Sequence, residues 1–280
     1  MTSTRILQSL LAGLLLFFLF AVLAVPQSQP PLDNAWTILE GGLSDKSTNS
    51  RSAAVRILGL LDYNSKALDL ALQALSDQKP DVRAAAAGAL GDMKAQSAIP
   101  KLKDLVMTEE DPAVLLAAAH SLIELGDPLG YNVYYAILTG ERKSGQGLLD
   151  RHKKMLSDPK KMAKFGFEQG IGFVPFAGIG YSAFKLATKD DSSPVRAAAA
   201  EVIAKDPDPK SGDALVTAAS DKSWIVRAAA LDAISRRGDP DLSPKIEFAL
   251  NDNNSVVRYT AAAAIIHLAD VKTRKATPKS

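Results

Sequence analysis

The chain has 280 residues, 33 Lys and Arg against 31 Asp and Glu, a formal net charge of +2 and no cysteine. So balanced a charge gives no footprint for a nucleic-acid backbone, and the missing cysteine excludes a disulfide framework, a thiolate nucleophile and a Cys-based metal site. Aromatic residues make up only 6 %, so small aliphatic side chains must fill any core.

Residues 1–25 read as a targeting segment. Arg5 is its one charge, and Leu10 to Val25 is an apolar run of sixteen residues. Val22-Leu23-Ala24 offers small residues where a signal peptidase would cut. Counted from Ile6, the run reaches the roughly 20 residues of a membrane span, so an uncleaved anchor over 6–25 is the alternative. With Arg5 on the inner side, both readings put the body outside the cytoplasm, in the cell envelope or periplasm or secreted. Residues 26–32 are a Pro/Gln linker expected to be extended. From about Asp33, Trp36, Ile38, Leu39 and Leu43 mark the first helices, expected to cap the N-terminal end of the folded body, with Trp36 as a capping hydrophobe.

Residues 33–139 carry a repeated unit. Its fullest copy is Asp77-Gln-Lys-Pro-Asp-Val-Arg-Ala-Ala-Ala-Ala-Gly-Ala-Leu-Gly91. Pro80 suits the first helical turn, the alanines continue the helix at low cost, and Val82, Ala85, Ala86, Ala89 and Leu90 fall on one side. A second, amphipathic helix comes next through Ile99, Leu102, Leu105 and Val106. The Arg position recurs at 51, 83, 196, 227 and 258, and Leu115 holds its place in one copy, giving spacings of 32, 32, 81, 31 and 31. A fixed period near 31 is the signature of a repeat array whose units cannot bury their apolar faces alone. Each Arg has an Asp six residues before it, as in Asp45 and Arg51, Asp77 and Arg83, Asp190 and Arg196, Asp221 and Arg227, and Asp252 and Arg258. These pairs are expected to form a ladder of charge-assisted bonds along the stack.

The one long spacing marks an insertion over 140–189. Its first part, Glu141 to Lys164, has eight cations against three carboxylates, a net +5. The second part is rich in glycine and phenylalanine, with Phe165, Phe167, Phe173, Phe176 and Phe184. Two readings stay open: a helical hairpin and loop packing its phenylalanines on the repeats, or a docking element for a membrane surface or a partner. Regular repeats resume over 190–270, and 271–280 is a basic tail expected to be disordered.

The Asp-x-x-x-x-Val-Arg-x-Ala-Ala-Ala pattern resembles HEAT repeats of the alanine-rich, phycobilisome-lyase type. The resemblance covers roughly 33–126 and 190–269. It implies an all-α, right-handed solenoid of the HEAT/armadillo kind, a superhelix of about six helix pairs with one insertion. For function the resemblance is unspecific, since related repeats occur in scaffolds, transport adaptors, chaperone-like lyases and a metal-dependent hydroxylase; the chain is read as a scaffold that binds protein partners, with a lyase-like or chaperone-like handler of a bilin or other cofactor, using the Phe-rich insertion as a pocket, as the alternative.

Catalysis has little to stand on, since His120, His152 and His267 are scattered and no phosphate-cradling glycine loop occurs in the right context. No enzyme activity, cofactor or metal is expected. The His-Glu dipeptide that the iron-dependent hydroxylase branch of the resemblance would require is also missing. Binding has a better case. Five and nine residues after the Arg position stand Arg56, Asp92, His120 and Glu124, Glu201 and Lys205, Asp232 and Arg236, and His267. Pairs at i,i+4 share a helix face, so these are the expected partner-binding residues, and the mixed charge suits a protein better than a nucleic acid.

Overall fold

The computed structural model describes residues 30–139 and 193–276, and these are helical throughout apart from short turns. The targeting segment, the whole of the 140–189 insertion with its five phenylalanines, and Asp190 lie outside the described residues. In chain order the α-helices are α1 (Pro30–Leu43), α2 (Thr48–Ile57), α3 (Ser65–Ala74), α4 (Pro80–Asp92), α5 (Ile99–Thr108), α6 (Pro112–Glu124), α7 (Leu129–Thr139), α8 (Ser193–Ile203), α9 (Pro209–Ala218), α10 (Trp224–Arg237) and α11 (Ser255–Ala276). A 3-10 segment, Pro240–Asn251, stands where a second helix would follow α10.

The helix starts follow from local chemistry. Pro80, Pro112 and Pro209 occupy the first turn of α4, α6 and α9, where a missing N–H costs nothing. Asn64 caps α3 by accepting from the Ala67 N–H, and Asp111 caps α6 by accepting from Ala113 and Val114. Two boundaries differ from the expectation. Helix α1 begins at Pro30, so the two prolines that read as linker are its first turn. At the other end the helix continues from 271 to Ala276, with Arg274 and Lys275 in its last turn, where cations offset the helix dipole.

The alanine-rich helices form an inner layer and the others an outer layer. Inner helices are buried far beyond a single stripe. Ala228, Ala229, Ala230, Leu231, Ala233 and Ile234 of α10 are all inaccessible, as are Ala261 to Ala264 of α11. Such all-round burial belongs to a helix covered on several sides, and only small side chains permit it at close approach.

The order of stacking differs from the order of the chain. Within the halves, α2, α4 and α6 stack in sequence, as do α8, α10 and α11. Helix α11 then packs on α1 and α2. Helix α1 fits between α11 and α2 in the outer layer, the place that the 3-10 segment takes beside α11. The inner row therefore runs α8, α10, α11, α2, α4, α6, and the two described ends of the row, α6/α7 and α8/α9, are those that flank residues 140–192. Helix α1 is not an end cap, and Trp36 is no capping hydrophobe. It is half-buried, with the Lys66 ammonium 4.2 Å from its ring centre. The seam between halves is fastened beyond α1 as well: Asn64 donates to the Asp270 carboxylate at 2.7 Å, and Arg274 lies over the Tyr63 ring.

Side-chain ladders run along both halves. Arg51 donates through Nε and Nη2 to Asp77, Arg83 to Glu109, Arg196 to Asp221, and Arg227 to Asp252, at 2.7–3.2 Å. In three of these the remaining Nη1 donates to the backbone carbonyl of the unit's own acid: Asp45, Asp77 and Asp221. Arg258 likewise reaches the Asp252 carbonyl. Leu115, in the Arg position of α6, is buried, and the first ladder stops at Glu109.

Gly41 and Gly42 give a paired test of the seam. A Cβ on Gly42 would meet the Tyr259 ring of α11 at 2.6 Å and Ala54 of α2 at 2.8 Å, whereas one on Gly41 would meet nothing within 4 Å. Gly41→Ala is expected to stabilise the chain by about 0.5–1 kcal/mol through helix propensity. Gly42→Ala is expected to destabilise it by about 1–3 kcal/mol through overpacking, both read from urea unfolding curves. Equal effects at the two positions would contradict the α1–α11 contact.

Candidate functional site: a charged hollow on the inner helices

The residues five and nine positions after the ladder Arg lie on the inner layer, and the structure brings most of them together. Arg56 of α2 stands 3.6 Å from Asp92 of α4, and His120 of α6 stands 3.7 Å from Glu124 one turn on. On α10, Arg236 Nε is 3.0 Å from Asp232 Oδ2. Asp92 also feels Glu124, His120 and, from the other half, Arg236. Arg236 acts in addition on Glu201 of α8. In the inner row α11 and α2 stand between α10 and α4. Charges on α10 and α4 can interact across them only because the row curves, with these side chains on its inside.

Protein packed around this hollow works against its carboxylates. Burial raises Asp92, although its side chain is half exposed, and the Arg56 charge only partly offsets this. Burial likewise raises Glu201, with Arg236 pulling back. Asp232 is moved furthest, from its ordinary 3.8 to about 6, by burial first, with the charges of Glu201 and Asp92 adding and Arg236 opposing. The ladder carboxylates go the other way. Burial alone would raise Asp77, Glu109, Asp221 and Asp252, but hydrogen bonds from Arg and from capping backbone N–H groups outweigh it and hold all four low.

Three expected members stand differently from the sequence reading. Asp232 does not face solvent; it is 2 % exposed. Lys205 does not share a face with Glu201, because α8 ends at Ile203 and Lys205 lies exposed in the following turn. His267 belongs to the seam. Its Nδ1 is 3.2 Å from Asp62 Oδ1, and burial holds the imidazole below its ordinary range. Sequence reasoning misses Asp62, Asn64 and Asp270. They lie outside the repeated positions, and only Asn64, as a helix cap, carries a local signal. Among the described residues no group of three or more His, Asp or Glu is placed to hold a metal ion.

The HEAT-repeat family model matches residues 37–123 and 182–266, more than half of the chain. The chain belongs to the HEAT-repeat family. Among solved structures it is similar to human deoxyhypusine hydroxylase in complex with glycerol, at 18 % identity and a TM-score of 0.32 over 87 % of this chain and 98 % of that one. It is also similar to the complex of CpcE and CpcF of phycocyanin lyase from a Nostoc species, at 18 % identity and a TM-score of 0.33 over 86 % and 94 % of the two chains. An engineered protein matches at 17 % identity and a TM-score of 0.25, over 84 % and 98 %. No curated protein matches. The assignment of this HEAT-repeat chain rests on its repeats and not on these likenesses.

Asp232→Asn tests the buried charge. A folded-state value raised above the unfolded one means the folded chain binds the extra proton, so the ionised carboxylate costs stability as pH rises through the interval. The variant's advantage over the parent should therefore grow between pH 3.8 and about 6 and level off at about 3 kcal/mol. The lowered ladder carboxylates contribute with the opposite sign: their stabilisation is complete above their ordinary range and is lost as pH falls below it. Urea midpoints across pH separate the two. A difference between variant and parent that stays flat across this interval would contradict the charge assigned to Asp232.

Proposed function

We propose that the chain is a non-enzymatic interaction scaffold that holds a protein partner against the inner face of its alanine-rich helices. One observation carries this reading. Arg236 of α10 is shared electrostatically by Asp92 of α4 and Glu201 of α8, and Asp92 in turn feels Arg56 of α2 and Glu124 of α6, so charged residues from five repeat units converge on one hollow. A repeat array supplies such a surface without closing round a reactive centre. The binding residues are Arg56, Asp92, His120, Glu124, Glu201 and Arg236, with Asp232 beneath them. Lys205, in the turn after α8, and His267, at the seam, are not among them.

The scaffold works outside the cytoplasm, delivered or tethered by residues 1–25. The apolar run and the single Arg5 support this. Among the described residues no helix is long and apolar enough to cross a membrane.

The test is affinity capture from an envelope extract of the native cell, comparing the parent with an Asp92→Lys, Glu201→Lys variant that retains its helical circular-dichroism spectrum. Partners that engage the hollow are expected to disappear from the variant's captured set. An unchanged set would show that these charges only solvate the inner face. Fusion of residues 1–32 to a reporter active only after export checks the location, and an inactive reporter would overturn it.

A further inference from the structure

Among the described residues the charges in the hollow do not cancel. Four carboxyl groups, Asp92, Glu124, Glu201 and Asp232, face two guanidinium groups, Arg56 and Arg236, and one imidazole, His120. The two guanidinium groups can balance the charge of only two of the four acids. Arg56 stands 3.6 Å from Asp92, too far for a good hydrogen bond. Arg236 is half exposed and divided among Asp232, Glu201 and Asp92.

A second observation is independent of the charge count. Asp232 is 2 % exposed, and its Oδ2 lies 3.0 Å from Arg236 Nε without a well-formed hydrogen bond. A buried carboxylate oxygen without a hydrogen bond is costly. It lies on the side of α10 where the charges of Glu201 and Asp92 reach it. On α11 the corresponding residue is the inaccessible Ala263, so the fold itself does not require an acid here.

We propose that the hollow accepts a basic side chain of the partner, a lysine ammonium or arginine guanidinium, among Asp92, Glu124 and Glu201, with Arg236 released towards Asp232 as the guest arrives. This rests on the scaffold reading above and names the chemistry of its partner. An ammonium carries three donors and a guanidinium five, enough to satisfy acids that the resident arginines leave short. An acidic or phosphorylated partner would instead add like charge to a site already deficient in cations. Encounter would be steered by the excess negative potential and weakened by salt.

The experiment titrates the full chain with a capped tetralysine peptide, and separately with tetraglutamate of equal length, by calorimetry at low ionic strength. Tetralysine is expected to bind and tetraglutamate not to. An Asp92→Asn, Glu201→Gln variant, neutral at two rim positions and leaving Asp232 in place, should bind tetralysine at least about tenfold more weakly. Binding of tetralysine unaffected by that variant would mean general attraction to the surface and would overturn the proposal. So would tetraglutamate binding as tightly, or no binding of tetralysine. The two readings fail separately: if envelope partners depend on the hollow while tetralysine does not bind, the scaffold stands and the basic guest does not.

Discussion

A ladder arginine such as Arg51, Arg83 or Arg227 touches two consecutive units at once, and the rest of the architecture depends on that bridge. Its Nη1 is fixed on the backbone carbonyl of its own unit's acid, while Nε and Nη2 grip the next unit's carboxylate. That carboxylate in turn accepts backbone N–H groups at the start of the following inner helix, as Asp77 does from Lys79 and Asp221 from Ser223. One side chain therefore sets both the entry of a helix and the distance to its neighbour. Bidentate arginine–carboxylate geometry tolerates little displacement, so the alanine helices are held in close contact. Ser121 shows how close that is: its hydroxyl donates to the Ala87 carbonyl of the adjacent helix at 2.8 Å.

The ladder explains each half but not how the halves meet. At the seam Arg258 is fastened to carbonyls of its own unit, and α1 takes over the joining role. It packs on α11 in the outer layer, in the place a second helix of that unit would take. Gly42 allows the close approach to Tyr259, and the hydrogen bond from Asn64 to Asp270 fastens the seam further. This joint has a functional consequence. Arg236 and Glu201 belong to one half and Asp92 and Glu124 to the other, so the hollow exists only while the seam is closed.

The repeats, their period, the helix pairs and the Asp/Arg ladder were all legible in the sequence, because each leaves a mark that recurs: a proline, a Val-Arg step, an acid six residues earlier. Period tells which units are neighbours along the chain. It cannot tell which ends of a row join, and α1, which makes the join, lacks the motif. The same limit applies inside the hollow. Register placed Asp232 and Arg236 on one helix face correctly, but solvent exposure depends on the curvature of the row, which no single unit encodes. Lys205 fell off the face because α8 stops early, before Asp206-Pro207-Asp208, where the residue preceding proline disfavours helix.

Asp232 is the point where stability and function pull apart. Every neighbour on α10 from Ala228 to Ile234 is apolar and buried, and an alanine there, as at Ala263 on α11, would complete the wall without a desolvation cost. A carboxylate held in that wall at about 6 instead tethers Arg236 by charge without a well-aligned hydrogen bond, leaving the guanidinium half exposed and able to reorient. Local rules are broken without local compensation mainly where a site needs it. In this chain the breach lies directly beneath the arginine that reaches acids of both halves. The ladder carboxylates Asp77, Glu109, Asp221 and Asp252 are each held by an arginine, so the structure can carry an under-satisfied acid elsewhere, and it carries Asp232 at the centre of the hollow.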